Sequence, residues 1–164
     1  MSKEYSPVNA GVVKEFLDSD DWVYEFIEED GLFRFGLTLD GPVKKADFIV
    51  DVQENCVITY ALLNNIGADA SDPAMMREMA DFICKANYGL KNGNFEFDIK
   101  DGEIRFKSYI DCEGTAPSIA AVRNSISCCA VMLNIYSQGI TGIIFGGLDA
   151  DTAIAKCENN GSMN

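Results

Sequence analysis

This sequence predicts an α+β fold, an antiparallel sheet packed against helices, and three observations carry that expectation. Between Pro73 and Leu90, the apolar residues Met76, Met79, Ile83 and Leu90 recur at helical spacing behind Asp72-Pro73, an N-cap followed by a first-turn proline. Asn94 to Lys100 then alternates strictly, with Phe95, Phe97 and Ile99 on one side, and Asp101-Gly102 joins it to Glu103–Ile110 as a two-residue hairpin. Upstream, Trp22 to Leu62 breaks into alternating runs at Glu29-Asp30-Gly31, Asp40-Gly41-Pro42 and Gln53-Glu54-Asn55, the pattern of a meander.

Taken in order, Ser6-Pro7 opens a first helix whose stripe is Val8, Val12 and Phe16 with Val13 and Leu17, ending near Asp18 to Asp21. Strands are expected at Trp22–Ile27, Leu32–Leu39, Ala46–Val52 and Cys56–Leu62, and Asn64 to Asp72 reads as a long polar connection. The central helix follows, with Gly89 placed to let the chain leave it, and then the hairpin. A last helix begins at Thr115 or Ala116 with Pro117 in its first turn. One of its faces is Ile119, Val122, Ile126, Cys129, Leu133 and Tyr136; a flanking one is Ala121, Cys128, Met132 and Ile135. The predicted order is α-β-β-β-β-α-β-β-α: a single domain over 1–148, and a flexible tail over 149–164 in which Asp149 to Cys157 has the makings of one short helix.

The 164 residues suffice for one core, and 48% hydrophobic with 24% charged residues is a globular balance. A net charge of −13 repels phosphate backbones and anionic lipid, which argues against a nucleic-acid partner. The opening Met-Ser-Lys-Glu-Tyr-Ser-Pro is polar and unlike a secretory signal, so the cytoplasm is the expected location. Cys56, Cys84, Cys112, Cys128, Cys129 and Cys157 lack ligand-like spacing and read as reduced core residues.

Histidine is absent, which excludes Ser-His-Asp and Cys-His nucleophile arrangements and HExxH zinc sites. No phosphate-cradling glycine motif occurs. The acidic Asp18-to-Glu29 stretch fails as a calcium loop, because Trp22 and Val23 stand where an oxygen ligand and a glycine are required. Of the 26 acidic residues, Glu29, Asp30, Asp40 and Asp101 fall at turns, and Glu96 and Asp98 on the outward side of a strand. No catalytic, cofactor-binding or metal-ligating residue is assigned, and no cofactor is expected.

What remains are surfaces. From Asn124 to Leu148 there is no charged residue, so the last helix is apolar over a wider arc than one sheet can cover. Cys128, Met132, Ile135 and Tyr136 are the candidate dimer or partner interface. The run is long enough to raise a membrane span, but Asn134, Gln138 and glycines 139, 142, 146 and 147 weaken that reading. Met75, Met76 and Met79, adaptable side chains at the start of the central helix, are the candidate peptide contact.

The pattern resembles the YbjN family, whose fold is similar to that of type III secretion chaperones. The residues that carry the resemblance are Val13-Lys-Glu-Phe-Leu, Trp22-Val-Tyr, Ala86-Asn-Tyr-Gly-Leu-Lys-Asn-Gly-Asn-Phe-Glu-Phe, Asp101-Gly-Glu-Ile-Arg-Phe, Tyr136 and Gly139-Ile, within Val8 to Gly147. An extra strand at Cys56–Leu62 and the segment after Gly147 depart from the chaperone pattern. The resemblance implies a non-enzymatic homodimer that holds an extended or unfolded segment of a client protein. The alternatives are a carboxylate-type enzyme with an unlocated cleft, and a membrane-associated protein using 124–148.

Overall fold

The computed structural model describes residues 4–159 and has the expected α+β architecture. A six-stranded antiparallel sheet has the spatial order β1-β2-β3-β4-β6-β5. Its strands are β1 (Glu25–Ile27), β2 (Leu32–Thr38), β3 (Lys45–Val52), β4 (Cys56–Gly67), β5 (Asn94–Phe97) and β6 (Glu103–Asp111). The helices are α1 (Pro7–Ser19), α2 (Pro73–Asn87), α3 (Ile119–Gly146) and α4 (Ala150–Asn159).

Strand alternation decides which side chains meet the helices. Phe33 and Phe35 of β2, Phe48, Val50 and Val52 of β3, Val57 and Ala61 of β4, Phe95 of β5, and Ile104 and Phe106 of β6 all point to one face and are buried. Against them lie Val13, Phe16 and Leu17 of α1 and Val122, Ile126, Cys129 and Leu133 of α3. One buried polar pair, Ser125 Oγ donating to Thr59 Oγ1 at 2.9 Å, fixes α3 on β4. α2 packs on α3 and β5, and α4 packs on both α3 and α2.

Several boundaries differ from the sequence expectation for local reasons. β1 starts at Glu25 rather than Trp22, because the Trp22 N–H is spent on the end of α1, donating to Leu17 O at 2.9 Å. Val8, expected in the α1 stripe, is 66% exposed. β4 runs on to Gly67 through a register shift after Leu62, so the first four residues of the expected 64–72 loop, 64–67, are strand. The hairpin turn is longer than two residues: the Asp98 carboxylate accepts from Lys100 N at 2.8 Å and its carbonyl from Gly102 N at 2.8 Å. That side-chain competition for the backbone ends β5 at Phe97 and leaves Ile99 75% exposed instead of beside Phe95. α2 ends at Asn87, whose amide accepts from Phe95 N at 2.7 Å and donates to Phe95 O at 3.0 Å, joining helix to hairpin. α3 begins later than expected, with Ser118 rather than Thr115 at its cap, its hydroxyl accepting from Ala121 N at 3.0 Å.

The expectation of three helices and a flexible tail over 149–164 is corrected: within it, 150–159 form a docked helix, and 160–164 lie outside the described residues. α4 buries Ala150, Ala153 and Cys157, and Glu78 of α2 accepts from Ala150 N at 2.8 Å, supplying a cap from another element.

Candidate functional site

α3 dominates the surface because it is 28 residues long and only one side of it meets the sheet. Successive residues turn by about 100°, so the buried arc holds Val122, Ile126, Cys129, Leu133, Tyr136 and Ile140. On the opposite arc, steps of four and three residues place Val131, Ile135, Gln138, Gly142 and Phe145 in a row. Val131 is 48% exposed and Phe145 74% exposed, and neither has a charged neighbour along the helix after Arg123.

The four residues expected at this interface separate into two groups. Met132 and Ile135 are half-buried at the rim of the outward arc, and Cys128 beside them points its thiol at Asn92 O, 3.6 Å away. Tyr136 is a correction. It is only 7% exposed, edge-on to Phe82 and Phe95 at 6.2 and 5.3 Å, and serves the core. Burial raises its phenol above the ordinary value. The sequence held that signal, since Tyr136 continues the stripe of Cys129 and Leu133. Val131 and Phe145 were missed, and the same periodicity read on the far side of the helix finds them.

The methionine cluster divides likewise. Met79 is fully buried, which removes it from any peptide-contact role in this chain. Met76 is half-buried, and the Met75 sulfur accepts from Asp69 N at 3.3 Å, leaving these two at the start of α2.

A second surface had no sequence prediction. Among the described residues no helix covers the sheet's other face, where Ile49, Ile58, Tyr60 and Leu62 lie half-buried on neighbouring strands beside Tyr109, 54% exposed. Arg105 stacks over the Tyr60 ring at 4.4 Å while its Nε donates to Glu96 Oε2 at 2.7 Å. Lys107 also donates to Glu96. Burial pushes the Glu96 carboxyl upward, but the bonds from Lys107 and Arg105 together outweigh it and hold the group below its ordinary 4.5. Glu96 therefore stays ionised at neutral pH as the acceptor of an ion-pair cluster. With Asp98, Glu103, Phe97 and Ile99 it lines an open depression of about 520 Å³. Acids do converge there, yet Arg105 sits between Glu96 and Glu103, and the Asp98 carboxylate is engaged with its own turn.

The cysteines are free thiols. Cys112, Cys129 and Cys157 are buried; burial lifts the Cys129 thiol to about 12 and Cys157 to about 11, far from thiolate chemistry. Cys84 is exposed, unlike the core position expected of it. Among the described residues no group of three or more Cys, Asp or Glu side chains is arranged to hold a metal ion. By length and composition, α3 is also the one described helix that could cross a membrane.

No family model matches the chain, and no curated protein matches it. Among solved structures, a chain from the crystal structure of the ExsC-ExsE complex is similar at 13% identity and a TM-score of 0.48, over 80% of this chain and 94% of that one.

Proposed function

We propose that this chain is a non-enzymatic, cytoplasmic protein-interaction module of the YbjN kind, which pairs with a second copy of itself through α3 and holds an extended segment of another polypeptide. The observation that carries this reading is the outward arc of α3. In a chain of net charge −13, the 25 positions from Asn124 to Leu148 hold no charge, although the arc between Val131 and Phe145 faces outward. Charge depletion around aromatic and apolar anchors is what distinguishes the centre of an interface from ordinary surface. It also keeps like charges out of the contact itself, so that only the longer-range repulsion between two chains of net charge −13 opposes their approach. Burying a Phe or Val side chain contributes about 1.5–3 kcal/mol, and a two-fold interface counts each anchor twice. Met75 and Met76 at the start of α2 are the proposed contact for the second polypeptide, because a flexible thioether adapts to varied apolar side chains.

Light scattering on the purified chain tests the pairing. Twice the chain mass of 17.9 kDa is expected, with Met132→Arg and Ile135→Arg giving folded single chains. A wild-type protein that stays at one chain mass at high micromolar concentration overturns the reading. The membrane-associated alternative rests on the length of α3 and predicts that the same sample requires detergent.

A further inference from the structure

α4 sits in a groove between α2 and α3 and contributes no strand to the sheet. The groove floor is apolar, with Phe82 of α2 and Tyr136 of α3 both buried beneath it. At Gly139 of α3 an added Cβ would stand 2.5 Å from the Phe82 ring and 2.7 Å from the Cys157 sulfur, so α4 comes down close to the floor. It does so with little apolar area. Of the four described helices it buries the smallest set of side chains, Ala150, Ala153 and Cys157, with Ile154 half-buried, whereas α3 meets the sheet through Val122, Ile126, Leu133 and Ile140. Hydrophobic stabilisation scales with the apolar area removed from water, so α4 is the most weakly held of them. Its polar contacts to α2 lie at the rim: Glu78 accepts from Ala150 N at 2.8 Å, and Lys85 Nζ meets the exposed Asp151 carboxylate at 2.6 Å. Ion pairs so open to water stabilise little.

The connection divides cleanly. Leu148 N donates to Gly142 O at 3.0 Å, and the Leu148 side chain lies over Gly142, where an added Cβ would come within 2.6 Å of its Cδ1. Leu148 therefore belongs to α3. Asp149 belongs to α4, because its carboxylate accepts from Thr152 N at 2.8 Å and its carbonyl from Ala153 N at 3.0 Å. Parting the chain from α3 just after Leu148 breaks neither set of bonds.

We propose that α4 is a latch: the segment 149–159 lifts off the α2–α3 groove as one unit while the sheet and the other helices stay folded. Lifting uncovers Phe82 and Tyr136 and so enlarges the apolar surface beside α3. The latch is a property of one chain and holds whether or not two copies pair.

Three cysteines report on it in the unmutated protein. Cys157 is buried under α4, Cys129 is buried between α3 and β4 with its thiol 3.8 Å from Thr59 O, and Cys84 is exposed. Docked, the Cys157 thiol is both covered and raised to about 11, so it meets a reagent as thiolate only when α4 is off the groove. The full chain is treated with iodoacetamide under native conditions, and initial alkylation rates at each cysteine are read by peptide mass spectrometry. Cys157 is expected to react more slowly than Cys84 but about 100-fold faster than Cys129. Urea below the unfolding midpoint should accelerate Cys157 only slightly, since lifting one short helix exposes little surface. Equal rates at Cys157 and Cys129, rising together with urea, show α4 leaving only on global unfolding and overturn the latch. Ala153→Asp then places a charge against the groove one turn before the thiol. A rise of about tenfold or more at Cys157 with Cys129 unchanged is expected. A rise at Cys129 as well ties α4 to the whole core, and no rise at Cys157 leaves only its last turn loose; either result overturns the latch.

Discussion

Gly102 has less room than any other described glycine. With φ at 81° and a built Cβ only 1.9 Å from Ala68 O, it tolerates no side chain, because backbone rather than a flexible side chain stands in the way. Its carbonyl also accepts from Ala68 N at 3.0 Å, tying the hairpin turn to the end of β4. Gly102→Ala is expected to cost about 3 kcal/mol or more, read as a fall in the urea midpoint at unchanged m-value. Ser137 makes the opposite case. Its hydroxyl is buried in α3 with no hydrogen-bond partner among the described residues, close to Gly41 of the turn between β2 and β3. Because an unsatisfied hydroxyl retains its desolvation penalty, Ser137→Ala should stabilise the fold by about 1 kcal/mol, measured the same way.

At the scale of elements, the joint between α2 and the hairpin is a single side chain. Asn87 both accepts from and donates to the Phe95 backbone, which places Phe95 against Tyr136 and Phe106 in the core. Asn87→Ala leaves the partly buried Phe95 N–H unpaired and takes the shorter of two donors from the Phe95 carbonyl, which keeps Asn94 Nδ2 at 3.2 Å. A loss of about 2–3 kcal/mol is expected, with faster amide exchange at Phe95 while the amides of β2 and β3 stay protected. The turn shows the same logic on a smaller scale, since the Asp98 carboxylate, rather than strand propensity, decides where β5 ends and leaves Ile99 outside.

For the whole molecule the controlling quantity is charge. With −13 per chain, the proposed pairing would bring like charges together even where the contact itself is uncharged, and added salt would screen that repulsion. The dimer dissociation constant should therefore fall severalfold between about 0.02 and 0.5 M sodium chloride, by sedimentation equilibrium, since the screening length shrinks from roughly 20 to 4 Å across that range. A contact held mainly by ion pairs would weaken over the same interval.

Short-range pattern was enough for much of this. The order of the six strands along the chain, the central helix with its Asp72 cap, the alternation that buries Phe48, Val50 and Val52, and the uncharged run along the last helix are all readable residue by residue. These features depend on periods of two and 3.6 and on turn chemistry, which neighbouring residues fix among themselves. What only the tertiary structure decided depends on groups distant in sequence. Glu78 and Lys85, more than 60 residues away, turn an expected tail into α4; Phe82 and Phe95 take Tyr136 into the core; and, among the described residues, the helices lie on one side of the sheet and leave the Tyr60 face open. The segment 149–159 carries a local helical start in Asp149, whose carboxylate accepts from Thr152 N at 2.8 Å, but ten residues do not hold a helix in water, and the contacts that do lie on other elements and exist only once the chain has folded around them.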